Sequence, residues 1–242
     1  MDILKVSLIF SCVFTSVFAI ATPNRNYQEK DGFVVIEAEH FSSQHLDQKR
    51  RWMTFSNDTQ RHGYSDNDGL HLNDASSGAY IEILPDTRTN HSEELVRGEN
   101  FSEKAGVMAV LTYPVYFANV GKYYVWARAF STGSEDNGVH IGLNSTWPET
   151  SQRLQLCENK HQWTWSSAQR TKDNHCGEPK TITLTIPEPG VHTIMLSMRE
   201  DGFELDKLLL TLDSNYIPKG QDKPATIVAT SNLVKKEMIK SQ

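Results

Sequence analysis

The chain has 242 residues, 38% hydrophobic and 22% charged, with a formal net charge of −6. Basic and acidic residues are interspersed, which excludes the clustered basic stripe of a nucleic-acid surface. The acidic balance suits oxygen-ligated cations and neutral sugars better than strongly anionic partners.

The first residues read as a secretory leader. Lys5 precedes a short apolar run from Val6 to Ala21 that ends in two small-residue cleavage patterns, Val17-Phe18-Ala19 and Ala19-Ile20-Ala21. Ser7, Ser11, Cys12, Thr15 and Ser16 interrupt the run, and a membrane span needs ~20 predominantly apolar residues. Residues 1–21 are therefore expected to be a cleaved signal peptide, an uncleaved anchor or lipoprotein being the alternative. The chain is then expected to be secreted, or held in a periplasm or at the cell surface. No other stretch approaches a transmembrane length.

The first β-favouring run is Phe33–Glu37, followed by Ala79–Leu84, Val107–Phe117, Lys122–Phe130, Val139–Leu143, Thr181–Ile186, Val191–Met198 and Phe203–Leu212. Alternation is clearest where Thr181, Thr183 and Thr185 oppose Ile182, Leu184 and Ile186, the period of a half-buried strand. Turn signals separate the runs at Asn119-Val120-Gly121, Pro187-Glu188-Pro189-Gly190 and Asp201-Gly202. Many short strands without long helical periods predict an all-β fold, a two-sheet β-sandwich or jelly roll. Residues 22–217 are expected to form this domain, and the polar, lysine-rich residues 218–242 a tail or linker. Asp86 to Lys104 reads as a surface insertion. Cys157 to Cys176 reads as a long loop carrying Trp163, Trp165 and Arg170.

Cys12 leaves with the leader, so the mature cysteine count is even. In an oxidising compartment Cys157 and Cys176 would close a disulfide, with two free buried thiols as the alternative. A metal site there is disfavoured, despite His161 and His175 nearby, because no C-x-x-C spacing is present.

Two carboxylates, Glu37 and Glu39, stand two positions apart and so share one face of a strand. Like charges side by side usually need a cation between them. Asp206, in the apolar run Phe203-Glu204-Leu205-Asp206-Lys207, offers a third carboxylate, since the first and last strands of a sandwich are commonly neighbours. Together with backbone carbonyls these would suit Ca²⁺, which takes 6–8 oxygen ligands. The other reading is a solvated acidic edge paired with Lys207 or Arg199.

Glu37-Ala38-Glu39 near the start and Gly202-Phe203-x-x-Asp206 near the end resemble carbohydrate-binding module families 6 and 35, with the C-terminal domain of glycoside hydrolase family 115 as a related comparison. The resemblance runs from about Gly32 to Leu212. It also takes in Trp126–Arg128, Glu135-Asp136-Asn137-Gly138, Trp163-Thr164-Trp165 and Met198–Phe203, which are similar to modules appended to marine-polysaccharide enzymes. It implies a galactose-binding-like sandwich with a structural calcium at Glu37, Glu39 and Asp206. It also implies a sugar held between two rings at the loop end, one from Tyr64 and one from Trp163. A pyranose has an apolar C–H face that stacks on an aromatic ring, and rim hydroxyls that need polar partners. Glu204 falls where those families carry a hydrogen-bonding asparagine, so it could contact a donor-rich ligand or pair with Arg170. Trp126 is expected in the core, as is one of Trp163 and Trp165; Trp147 is expected at the rim or as cover.

A second group of candidates is charged: Glu135, Asp136, Asn137, His140, Arg170, His175, Glu200 and Asp201. The plain explanation is turn chemistry, because Asp136-Asn137-Gly138 and Asp201-Gly202 are ordinary turn formers. Arg170 stands out, because a guanidinium can bind sugar hydroxyls or sulfates in bidentate fashion. A polysaccharide lyase would draw on Arg170, His140 or His175, and Tyr64. A glycosidase would need two carboxylates at a set separation, and nothing selects a pair from Glu135, Asp136, Glu200 and Asp201. The sequence has no nucleophile elbow, zinc-protease or phosphate-loop motif. The expectation is a non-catalytic binder of a polysaccharide, of algal or marine kind, working with a catalytic partner enzyme; an adhesion or structural sandwich is the other alternative.

Overall fold

The structure is a computed structural model that describes residues 26–59, 62–66 and 68–228. The expected signal peptide, with Cys12, and residues 229–242 of the expected tail lie outside the described residues. In chain order the strands are β1 (Asn26–Gln28), β2 (Phe33–Glu37), β3 (Ser43–His45), β4 (Arg51–Ser56), β5 (Ala79–Leu84), β6 (Val110–Phe117), β7 (Gly121–Phe130) and β8 (Gly138–Leu143). They continue with β9 (Leu154–Gln155), β10 (Thr164–Ser166), β11 (Ala168–Gln169), β12 (Thr183–Ile186), β13 (Gly190–Met198), β14 (Glu204–Thr211) and β15 (Ile227–Val228).

These strands make a two-sheet β-sandwich. One sheet runs β11-β9-β8-β13-β6-β1-β15 with β3 also on β6; the other runs β10-β7-β14-β5-β4, with β12 on β7 and β2 on β14. Alternation sorts each strand between two faces. Val34 and Ile36, Ile81 and Ile83, Val125 and Ala127, and Leu208 and Leu210 face the opposite sheet, where they meet Leu111, Tyr113, Val139, Ile141, Ile194 and Leu196 in one core. Val35, Trp126 and Leu209 point the other way and form a cluster on the outer face of the second sheet.

Each of the eight expected runs is a strand; β7, β8 and β13 each begin one residue earlier than expected, and three runs are shortened by local geometry. Val107–Ala109 stays outside β6 because Ala109 has φ of 46°, which breaks the extended path. Thr181 and Ile182 give their N–H groups to Ser167 instead of a ladder partner. At the other end of the chain, Phe203 and Leu212 flank β14 without joining it. The expected boundary at 217 also moves. Tyr216 packs its ring edge on Phe33 at 4.8 Å, and Ala225 packs against the core. Thr226 exchanges hydrogen bonds with the Val35 backbone, and β15 pairs with β1. Residues 218–228 are therefore part of the sandwich, lying over apolar side chains that would otherwise face water. The disulfide is present, joining Cys157 and Cys176 with Cα atoms 5.6 Å apart. Among the described residues no helix is long and apolar enough to cross a membrane.

Candidate functional site

The surface insertion and the disulfide-closed loop together wall a cavity of about 710 Å³. The insertion contributes Arg88, His91, Leu95, Arg97 and Phe101; the loop contributes Arg170, Thr171, Lys172 and His175; Arg153, Arg199, Glu135 and Glu200 complete it. Five arginines and Lys172 stand against three glutamates, Glu103 included, a formal excess of three positive charges. Some of that charge is structural. Glu135 accepts bonds from Arg88 and His91, and Glu200 from Arg199, while the Arg199 guanidinium lies 5.0 Å from the Phe101 ring centroid. Arg170 is different. It donates from Nη1 to His175 Nε2 at 3.2 Å, and among the described residues neither it, Arg97 nor Lys172 has an ion-pair partner.

Burial, then the charge of Arg199, lowers the pKa of Arg170; burial, then Arg170 and Arg199, lowers that of His175. His175 is thus the neutral acceptor and Arg170 keeps an uncompensated charge facing the cavity. The acidic net charge of the chain pointed to neutral ligands, and here the local charge is reversed. Net charge is a sum over the chain and does not report the balance at one cavity.

The other charged loop residues serve the scaffold. His140 is fully buried, with Nε2 donating to Ser102 O at 3.0 Å and Nδ1 accepting from Arg153 N at 3.2 Å. Burial pulls its pKa down to about 4, and with both nitrogens engaged it is not positioned as a lyase base. Asp136 accepts from Ser131 Oγ, Thr132 N and Gly133 N, and Asp201 from Arg50 and Thr87.

The outer face of the second sheet carries two cross-strand rows. In the first, Glu37 on β2 stands opposite Lys207 on β14, which stands opposite Arg128 on β7, which in turn faces Trp165 on β10. A bulge between Leu205 and Lys207 brings in Asp206. Lys207 Nζ lies 3.4 Å from Glu37 Oε1, and Arg128 pairs with Asp206. Ser76 bridges the two carboxylates, its N–H donating to Asp206 at 2.7 Å and its hydroxyl to Glu37 at 3.1 Å. Burial raises the pKa of Asp206 to about 6 against the opposing effect of Arg128.

This row is where calcium was expected, and the fit is partial. Glu37 Oε2 is buried without a hydrogen bond, as a metal ligand would be. Against that, Lys207 and Arg128 already supply positive charge, which matches the alternative reading of a Lys207 pair, though buried instead of solvated. Glu39 does not share a strand face with Glu37, because the strand ends at Glu37 and Ala38–His40 turn into a 3-10 helix. Its carboxylate lies 3.5 Å from His40.

In the second row Met53 on β4, Glu82 on β5, Glu204 on β14 and Phe130 on β7 stand side by side. Residues 62–66 and 68–75 cover it, His71 among them. His71 Nδ1 lies 2.7 Å from Glu204 Oε1, its ring stacks on Phe130 at 3.9 Å, and its carbonyl accepts from Trp163 Nε1 at 3.0 Å. Glu204 is 1% exposed. His71 is set against its carboxylate, and it does not pair with Arg170, whose bond goes to His175.

Trp163 is half-buried, its ring edge-on to Tyr80 and Phe130 at 5.4 Å each, and it lines a recess of about 300 Å³ with His71, Phe130 and Arg128. Tyr64 is exposed and accepts a long bond from Arg51 at 3.4 Å. The structure thus places Trp163 and Glu204 in one region and Arg170 in a separate cavity.

Residues 66–218 match the family described as Glycosyl hydrolase family 115 C-terminal domain. The chain belongs to this family. A curated relative, the uncharacterized protein P23 of Formosa agariphila, is 50% identical over 216 residues. The match covers 89% of this chain and 52% of the relative, so the chain spans about half of that protein's length. Among solved structures, a family 35 carbohydrate-binding module from Clostridium thermocellum is 12% identical at a TM-score of 0.40, covering 74% of this chain and 96% of that one. The C-terminal family 6 module of LamC, a marine laminarinase from Zobellia galactanivorans, is 14% identical at 0.39, covering 74% and 98%. In this family member the fold itself is established by the two sheets described above.

Several functional candidates of this family member escaped sequence reasoning. Arg97, Arg153 and Lys172 lie far apart in sequence and meet only through loop packing. Glu82 left a trace, a lone charge inside the apolar run Tyr80-Ile81-Glu82-Ile83-Leu84.

Proposed function

We propose that this chain is a non-catalytic carbohydrate-binding domain whose ligand is an acidic polysaccharide, carboxylated or sulfated, taken into the arginine-lined cavity. The observation that carries this reading is Arg170, a half-buried guanidinium held by neutral His175 and left without a carboxylate. Arg97 and Lys172 add unpaired charge, and Phe101 adds an apolar ring for a sugar face. Membership of a domain family of glycosyl hydrolases supports a glycan ligand and a catalytic partner. The disulfide supports an oxidising compartment and hence export. A sugar stacked on Trp163, with Tyr64 beside it, would be a second contact. Structural calcium at Glu37, Glu39 and Asp206 is likewise part of the proposal, resting on the buried Glu37 oxygen.

Affinity electrophoresis in gels of polyuronate, sulfated galactan and neutral galactan tests the reading. Retention is expected in an anionic gel, weakening as salt rises. Arg170→Ala should lower affinity about 10- to 100-fold, the range of a lost charge-assisted hydrogen bond. Trp163→Ala reports on the stacking contact separately. Equal retention of Arg170→Ala and wild type would remove the cavity from binding, and release of unsaturated oligosaccharides would make the chain a lyase.

A further inference from the structure

Glu82 and Glu204 are directly opposite each other on adjacent strands, and each is 1% exposed. Like charges placed this way destabilise a sheet, and a buried carboxylate normally has a cation or a full set of donors. Here Glu82 Oε1 and Glu204 Oε2 are buried with no hydrogen-bond partner. Among the described residues no lysine or arginine pairs with either one.

The covering segment adds more negative charge instead of relieving it. Asp66, Asp68 and Glu82 have ligand oxygens within 4.8 Å of one another, and Asp68, His71 and Glu204 form a second such set sharing Asp68. Asp68 Oδ1 is also buried without a partner. Burial first, and the neighbouring acids next, raise the pKa of Asp68 to about 8 and push Glu82 and Glu204 well up. Two strands and a loop thus bring carboxylate oxygens into two adjoining sets joined at Asp68.

We propose that Asp66, Asp68, Glu82 and Glu204 hold one calcium ion on the outer face of the second sheet, with His71 orienting Glu204. Four carboxylates from three segments supply the oxygen-rich set that Ca²⁺ favours, whereas Zn²⁺ prefers nitrogen and sulfur in a tetrahedral shell. The ion would tie Asp66, Asp68 and His71 to β5 and β14. Because His71 carries Phe130 and Trp163 against it, the ion would also set the recess beside Trp163. The site is separate from Glu37, Glu39 and Asp206, and it does not depend on which glycan binds.

The test uses the full chain stripped with a chelator and titrated with CaCl₂, followed by calorimetry and thermal melting. Glu39→Gln, which removes the calcium proposed at Glu37, Glu39 and Asp206, is expected to keep one equivalent, and Ca²⁺ at a hundredfold over its Kd should raise the Tm of that variant by roughly 5 °C or more. Glu82→Gln should weaken Ca²⁺ at least tenfold while the metal-free variant melts no lower than wild type, since an opposed charge is gone. Asp68→Asn, on the covering loop, serves if Glu82→Gln fails to fold. No heat and no Tm shift with Ca²⁺ would overturn the proposal. So would loss of the ion in Glu39→Gln with retention in Glu82→Gln, or Zn²⁺ binding more tightly than Ca²⁺.

Discussion

The two rows on the outer face of the second sheet are neighbours on the same strands, yet they bury their carboxylates in opposite ways. Glu37 and Asp206 are matched by Lys207 and Arg128 from the same sheet, while Glu82 and Glu204 face each other with acidic residues above them. Both rows lie at the crossing of β14 with its neighbours, so location does not separate them. Register does. One bulge in β14 delivers Asp206 to Arg128, whereas the row beyond it is bounded by Met53 and Phe130, which carry no charge. A carboxylate in a strand therefore announces a need for positive charge and leaves open whether the chain or an ion meets it.

The largest effect expected from perturbing this contrast is in the first row. Asp206→Ala strands Arg128 as an uncompensated buried cation and should cost about 3–5 kcal/mol in denaturant unfolding. Adding Arg128→Met should recover much of that loss, because replacing both partners of a buried pair removes the unpaired charge. If the double variant is no better than the single one, the pair is not the source of the stability.

His140 supplies a reference for a third solution, a buried group that stays neutral. Its folded pKa is about 4, against an ordinary value of ~6.5. Between those values the unfolded chain binds the extra proton, so stability should fall as pH drops from about 6.5 to 4. The raised pKa of Asp206 acts in the opposite sense over part of this range. The difference between wild type and His140→Gln, measured as Tm against pH, isolates the histidine; parallel curves would mean that it contributes nothing.

The smallest effect belongs to the second row without metal. Glu82→Gln in chelator should gain about 0.2–1 kcal/mol, the size of a relieved cross-strand repulsion. A loss there would show that Glu82 has a partner after all, and the contrast between the rows would fail.

How much of this was legible beforehand follows from the range of each signal. Period-two alternation is local, so eight of the fifteen described strands could be read, with Phe33–Glu37 and Ala79–Leu84 placed at their observed ends; β4 and the strands of two or three residues could not. The cysteine pair was legible because, with Cys12 assigned to the expected leader, Cys157 and Cys176 are the two left to pair. Residues 218–228 look polar in the sequence, and what ties them to the sandwich is long-range: β15 pairs with β1, and Thr226 bonds the Val35 backbone 191 positions away. Glu204 looked like a ligand contact by its position in a motif; the His71 set against its carboxylate is 133 positions away.

The amino-acid order by itself determined that this chain is an all-β sandwich with one disulfide, because alternation, turns and cysteine count act over a few residues. Which charges meet was decided only by tertiary structure. Strand register and loop packing set the distances on which electrostatic pairing depends, and those distances send Arg170 into one cavity, Asp206 to Arg128, and Glu82 against Glu204.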